Sequence, residues 1–517
     1  MARHPVAVIT LLLCLIITNT VLSNKNRNVL ILLADDGGFE IGAYRNKICQ
    51  TPNIDEFAKR SVIFNNAFSS VSSCSPSRAA LLTGTPSHQN GMYGLHHGVH
   101  HFNSFDNVTS LPNILREHGV YTGIIGKKHV GPSSVYKFDM EWTEEGHSIN
   151  QVGRNITHMK LLARKFLREA NRLDKPFLLY VGFHDPHRCG HEAPQYGPFC
   201  ERFGSSEEGM GVIPDWKPWY YQWDEVQLPY HVQDTEAARR DIAAQYTTMS
   251  RLDQGVGLML KELEAAGHGH DTLVIYTSDN GIPFPSGRTN FYDPGLREPL
   301  IMHSPDPGAR RNEASGALVS LLDLTPTVLD WFGVRTPRHI DHEWRDRPRS
   351  LLPILNKEPP PSEQDAVFSS QTHHEITMYY PMRSVRTRRY KLIHNLNFGM
   401  PFPIDQDLYV SPTFQDILNR TRSKQPLPWY KTLKQYYYRP QWEMYDLKND
   451  PLETHNLHGK PSLSEVEASL RERLHSWQLA TGDPWLCSPA AVRDPRPGAN
   501  SAVCDALDNG LTHYMHT

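Results

Sequence analysis

The sequence predicts an α/β protein centred on a largely parallel sheet with helices over both faces. Three observations lead there. Four apolar runs, at 28–34, 121–126, 177–183 and 272–277, have strand length, and helical patterns lie between them. Each run also ends in a short polar cluster. A continuous apolar run marks a strand buried on both faces, and strand–helix alternation marks a parallel arrangement.

Taken in order, the first run ends in Asp35-Asp36-Gly37-Gly38. Thr51-Pro52 then opens a short helix with Ile54, Phe57 and Ala58 on one side, since proline is favoured in a first helical turn. Cys74-Ser-Pro-Ser-Arg78 runs into an Ala/Leu helix that stops at Gly84. Cys74 thus sits at a helix N-terminus, where free N–H groups favour an anion. A helix over 110–119 leads to the second strand, which ends in Lys127-Lys128-His129. A helix over 156–172 precedes the third, which ends in His184-Asp185-Pro186-His187. Residues 203–231, rich in Gly, Pro and Trp, read as a long ordered loop. A helix over 235–266 leads to the fourth strand, which ends in Asp279-Asn280, and Leu321 to Phe332 reads as another helix. The Pro-rich stretch 358–362 marks a connection near a domain boundary, placed at 372/373. Beyond it, 382–393 reads as a strand or hairpin whose basic residues form a solvated face, and 463–477 as a closing helix.

The 517 residues, 39% hydrophobic and 21% charged, allow one large and one small domain. A net charge of −3 argues against a nucleic-acid partner, while 27 histidines would make the chain cationic in acid and so attractive to a polyanion. Residues 1–23 read as a secretory signal, and no other stretch approaches a transmembrane span. Asn107, Asn155 and Asn419 head glycosylation sequons. Of seven cysteines, Cys14 falls in the signal. If Cys74 is chemical, Cys189–Cys200 and Cys487–Cys504 are the natural local pairs, which leaves Cys49 as a free thiol.

Ligands of open α/β sheets bind outside the carboxyl ends of the strands. That rule gathers Asp35, Asp36, Lys127, His129, His184, His187, Asp279 and Asn280 into one crevice with Cys74. Asp35, Asp36, Asp279 and Asn280 offer only oxygen, which suits Ca²⁺ or Mg²⁺ rather than Zn²⁺. Lys127 and Arg288 could hold anionic oxygens, and His129 and His187 could move protons. His96, His97, His100 and His101 crowd a Gly-rich loop without nearby carboxylate or cysteine partners, which argues against a dedicated metal site.

Cys74-Ser-Pro-Ser-Arg78 followed by Leu-Thr-Gly84 resembles the sulfatase signature, in which the cysteine is oxidised to formylglycine (3-oxoalanine) in the endoplasmic reticulum. Ala-Asp35-Asp36-Gly, Gly126-Lys127-Lys128-His129, Ser-Asp279-Asn280-Gly and the 442–457 segment resemble companion motifs. Strings at 126–132, 183–191, 280–290 and 395–407 are similar to one branch of the family, which acts on N-sulfated glucosamine at the non-reducing end of heparan sulfate. Cys49 and the Asn107 sequon depart from the pattern without touching the proposed chemistry.

The resemblance implies an alkaline-phosphatase-like α/β domain at 24–372 and a smaller α+β domain with an antiparallel sheet at 373–517. It further implies a lysosomal glycoprotein, a homodimer, one Ca²⁺ per subunit, and maturation by the formylglycine-generating enzyme. The metal set implied is Asp35, Asp36, converted Cys74, Asp279 and Asn280. By the same resemblance one hydroxyl of the hydrated aldehyde is expected to attack sulfur as the amine leaves protonated, and the second hydroxyl to lose its proton and expel sulfate, restoring the aldehyde in a two-step covalent route. The resemblance places Arg78 and His129 on the formylglycine, with His129 assisting the elimination, Lys127 and Arg288 on the sulfate, and His187, in preference to His184, as the acid at the leaving group. Three rivals stand beside this reading: an O-sulfatase on another glycan, a phosphomonoesterase of the same fold, and a non-catalytic glycan-binding glycoprotein.

Overall fold

A computed structural model describes residues 27–189, 197–341, 344–493 and 504–506. The expected signal at 1–23, with Cys14, lies outside them. The first strand, β1 (Asn28–Ala34), is buried along its whole length and shows why an unbroken apolar run was needed. Leu30, Leu32 and Ala34 enter one core, while Val29, Ile31 and Leu33 enter another on the opposite face. Successive side chains of a strand point to opposite faces, so both faces must be apolar when both are covered.

Seven strands join β1: β2 (Val62–Phe68), β3 (Tyr121–Gly126), β4 (Met140–Thr143), β5 (Phe177–Gly182), β6 (Thr272–Ser278), β7 (Arg297–His303) and β8 (Glu313–Ser320). The sheet order is β4-β3-β5-β1-β6-β7-β2-β8. The four anticipated strands form its contiguous parallel block, β3-β5-β1-β6. The sheet as a whole is mixed, because β7 runs antiparallel to both β6 and β2.

Helices α1 (Pro52–Lys59), α2 (Cys74–Thr83), α3 (Leu111–Glu117), α4 (Ile156–Leu173), α5 (Glu236–Ala265) and α6 (Leu324–Trp331) cover it. Apolar residues of α1, α4 and α5 share the core of Leu30 and Leu32. Those of α2, α3 and α6 share the core of Val29 and Ile31. Each fully buried aliphatic side chain in these layers contributes roughly 1.5–3 kcal/mol of transfer free energy.

A second sheet is antiparallel in the order β12-β11-β10-β9, from β9 (Ala366–Gln371), β10 (Met382–Thr387), β11 (Tyr390–Asn395) and β12 (Trp442–Asp446). Helix α7 (Ser464–Ala480) packs Leu470, Leu474 and Trp477 against Phe368, Val385 and Leu392. The 382–393 segment is the β10–β11 hairpin. Only Arg388 and Arg389 at its turn are exposed; Arg383, Arg386 and Lys391 are buried rather than solvated. Arg383 is buried in a two-pronged pair with Asp483 at 2.6 and 2.8 Å, and buried Lys391 meets Asp293 and Glu453. Alternation alone cannot tell a solvated charge from one whose partner lies about a hundred residues away.

Cys189–Cys200 and Cys487–Cys504 are bonded, and Cys49 and Cys74 are free and buried. Asn107 and Asn419 are exposed, whereas Asn155 is half-buried and caps α4 by accepting from the His158 N–H. Among the described residues no helix is long and apolar enough to cross a membrane.

Candidate active site

Strands β1 and β6 lie side by side in parallel, with Ala34 opposite Ser278. Their next residues therefore leave the sheet together, and this is what brings Asp35-Asp36 against Asp279-Asn280. The Asp36 N–H donates to Asp279 Oδ1 at 3.2 Å, and Asn280 Nδ2 donates to Asp36 Oδ1 at 2.7 Å. Asp36 takes a left-handed φ of 58° at the turn, a conformation that Asp tolerates better than most residues.

Cys74 is the first residue of α2, after an extended Ser73, and the helix ends at Gly84 with φ 66°. The Cys74 thiol faces Asp36 Oδ1 at 3.9 Å. One turn on, Arg78 is fully buried and joins three strand ends. Its Nε donates to Asp279 Oδ2 at 2.8 Å, Nη1 to the Lys127 carbonyl at 2.8 Å, and Nη2 to Asp35 Oδ1 at 3.2 Å. Lys127 Nζ donates to the other Asp35 oxygen.

Arg288 Nη1 donates to Asp36 Oδ2 at 2.8 Å and approaches His187 Nε2 at 2.9 Å. His187 Nδ1 lies 2.8 Å from the Arg188 carbonyl, so Nδ1 carries the proton and Nε2 faces the cluster. His184 Nδ1 bonds Glu144 at 2.9 Å and lies 3.9 Å from Asp35 Oδ2. His129 Nε2 meets His97 Nδ1, so one histidine of the Gly-rich loop joins the site. Every catalytic and metal residue expected from sequence falls in this one cluster.

Sequence reasoning missed the contribution of the C-terminal part. Asp405 Oδ1 and Asp407 Oδ2 accept from Arg288 Nη2 at 2.6 and 2.9 Å, and His374 Nδ1 pairs with Ser73 Oγ at 2.8 Å. The one signal for them in the sequence is the Asp-x-Asp spacing at the end of the 395–407 string, a spacing that names no partner.

The charges do not balance. Asp35, Asp36, Asp279, Asp405 and Asp407 face Arg78, Lys127 and Arg288, while the histidines stay neutral. Burial pushes Asp36 up to about 8 despite Arg288, with the Asp35 and Asp279 charges adding to the rise. Burial likewise raises Asp279 to about 6 against the pull of Arg78. Asp35 differs: burial alone would raise it, but Lys127, His187, Arg78 and His184 hold it well below the carboxylate range. Burial and the neighbouring Lys127 push His129 far below the usual histidine value.

With all five carboxylates ionised the set would carry two excess negative charges, which one divalent cation would balance, and without that charge burial drives Asp36 and Asp279 toward their protonated forms. The donor set fits as well. The ligand atoms of Asp35, Cys74 and Asp279 lie within 4.8 Å of one another, and Asn280 Oδ1 is buried without a hydrogen-bond partner among the described residues. An orphaned buried amide oxygen beside three carboxylates suits a hard, oxygen-seeking ion. Arg288 Nε and His129 Nδ1 are also buried and unpartnered among the described residues.

The sulfatase family model matches residues 27–334, and the model described as N-sulphoglucosamine sulphohydrolase, C-terminal, matches 287–402 and 423–480. The chain is 60% identical over 490 residues to human N-sulphoglucosamine sulphohydrolase, covering 94% of this chain and 96% of that protein. It is 27% identical over 473 residues to an ulvan-active sulfatase of Formosa agariphila, covering 89% and 81%. A solved structure in complex with its substrate D-glucosamine-2-N,6-O-disulfate superposes with a TM-score of 0.61 at 19% identity, covering 89% of this chain and 98% of that one. At that identity the likeness speaks for the fold.

Proposed function

Since the chain belongs to the sulfatase family and is a sulfatase, we propose that it removes the N-linked sulfate from N-sulfoglucosamine at the non-reducing end of heparan sulfate. The observation that supports this most is the seat of Cys74. A cysteine heads a buried helix inside a cage of carboxylates and cations, where an unmodified thiol has little to do: burial and the carboxylate charges of Asp35, Asp36 and Asp279 push it well above its ordinary pKa, against the pull of Lys127. A thiol held protonated is a poor nucleophile. Conversion to formylglycine by the formylglycine-generating enzyme gives the position a chemistry suited to its neighbours, and the converted side chain supplies the nucleophile.

Asp35, Asp36, Asp279 and Asn280 are the residues to hold a calcium ion, one per subunit, which when bound supplies Lewis acidity toward the sulfuryl oxygens. Lys127 and Arg288 grip those oxygens and stabilise the charge that develops on them. Arg78 fixes the Cys74 helix to the ends of β1, β3 and β6 through its three bonds. His129 moves the proton at the Cys74 side. His187, with Nδ1 committed to the Arg188 carbonyl, presents Nε2 to the leaving nitrogen. Burial holds His187 well below the usual histidine range, so loading it with a proton favours acidic pH.

The rest of the reading follows from the same resemblance: a lysosomal, glycosylated homodimer reached through the secretory pathway, with a catalytic part at 24–372 and a smaller part at 373–517. The deciding experiment assays sulfate release from N-sulfoglucosamine beside 6-O-sulfated glucosamine. The N-sulfated sugar is expected to be the preferred substrate; preference for the O-sulfate would overturn the assignment.

A further inference from the structure

We propose, resting on the sulfatase reading above, that the Asp407 carboxylate recognises the nitrogen through which sulfate is attached, and so sets the preference for N-linked over O-linked sulfate. Two aspartates reach Arg288 from the C-terminal part, and they differ in what else they do. Asp405 Oδ1 accepts from Arg288 Nη2 at 2.6 Å and from the Leu408 N–H at 3.0 Å, with the side chain 2% exposed. It is used up in capping the short helical turn Gln406–Tyr409 and anchoring Arg288.

Asp407 stands apart. Its Oδ2 accepts from Arg288 Nη2 at 2.9 Å and lies 3.6 Å from His187 Nε2. Its Oδ1 takes no hydrogen bond among the described residues. The Asp407 side chain is 22% exposed, against 12% for His187, 2% for Arg288 and 0% for Asp36. Within this linked set, enclosure therefore falls off from the Asp36 end to the Asp407 end. A ligand that enters with sulfate first leaves its linking atom and sugar on the Asp407 and His187 side.

At that place the chemistry of a carboxylate is selective. It accepts hydrogen bonds and donates none. The linking atom of an N-sulfate carries an N–H, and the product amine in acid is an ammonium; both are donors. The linking atom of an O-sulfate is an ether-type oxygen with lone pairs only, which a carboxylate repels. A site that accepts from a substrate N–H rejects the analogue lacking it more strongly than an apolar pocket can, because the bound sugar covers the open carboxylate oxygen without giving it a donor. Asp407 and His187 Nε2 are close enough to contact one nitrogen of a bound sugar from two sides.

The test measures dissociation constants of glucosamine, glucose and inorganic sulfate by ligand-observed NMR on the full mature protein. It is run at about pH 5, where the amine is protonated. Wild type is expected to bind glucosamine more tightly than glucose. Asp407→Asn should weaken glucosamine about tenfold, the loss of a charge-assisted bond, while glucose and sulfate stay within about twofold, and Asp407→Glu should recover part of the loss. Equal binding of glucosamine and glucose by wild type overturns the proposal. So does an unchanged glucosamine constant in Asp407→Asn, or a parallel loss of sulfate, which would mean that Asp407 serves only to hold Arg288. These readouts need no turnover, so they are separate from failure of the wild type to release sulfate from N-sulfoglucosamine, which would strike the underlying reading instead.

Discussion

Arg78 Nε donates to Asp279 Oδ2 across 2.8 Å, with both side chains fully buried, and this bond ties the second turn of the Cys74 helix to the end of β6. The same guanidinium reaches Asp35 on β1. One side chain thereby sets the spacing of the nucleophile position and both acidic strand ends.

Removing it strands buried charge. Arg78→Ala leaves Asp35 and Asp279 without their shared partner, a loss expected to cost about 3–5 kcal/mol. Urea unfolding should show this as a lower midpoint with an unchanged slope. Arg78→Lys should keep part of the stability and still lose most sulfate release, since an ammonium cannot reproduce the planar fork.

Cys74→Ser should abolish hydrolysis while the far-UV circular dichroism spectrum stays that of wild type, because a buried hydroxyl fits where the thiol sat. Mass analysis of the wild-type peptide carrying residue 74 should find an aldehyde. A thiol there, or near-normal activity in the serine variant, would remove the nucleophile assignment.

Stripping divalent ions should lower both activity and thermal midpoint, with Ca²⁺ restoring both. An ion at a hundred times its dissociation constant adds about 2.7 kcal/mol to stability. Asn280→Ala should weaken Ca²⁺ binding, which isothermal titration reads without an activity assay. Identical melting of ion-loaded and stripped protein would count against the site.

Asp323 offers a pH effect away from the active site. Burial raises its carboxyl to about 7, against the pull of the Ser320 and Arg349 N–H groups and the Arg349 charge. A folded value above the unfolded one means that the folded state holds a proton which the unfolded chain has released. The associated stability is fully present below about pH 4 and lost as pH rises through about 7, on the order of 4 kcal/mol in all. Asp323→Asn should flatten that slope, as thermal midpoints at pH 5 and 7.5 would register.

The central sheet was legible because β1, β3, β5 and β6 are covered on both faces and must be apolar throughout. The flanking strands were not. β2 carries Asn65 and Asn66 in mid-strand and β8 opens on an exposed Glu313, so neither shows an unbroken run. The same logic divides the site. Residues at the tips of the central strands could be gathered by topology alone. Asp405, Asp407 and His374 arrive on connections between strands of the second sheet, whose docking depends on cores such as that of Tyr292, Met382 and Phe414, and no local pattern encodes such a meeting. The buried pairs of Arg383 and Lys391 were hidden for the same reason, since each partner is distant in sequence.

Cys74 is only 2% exposed, at the root of a helix held by Arg78. A narrow opening of this kind admits a small sulfate group but not the catalytic groups of a second protein. Any enzyme that alters this side chain must therefore act while the polypeptide is still open, during or soon after synthesis. If activity rests on a converted Cys74, as proposed above, molecules that close too early would keep a native shape and lack activity, so a normal yield of well-folded protein would say little about how much of it works.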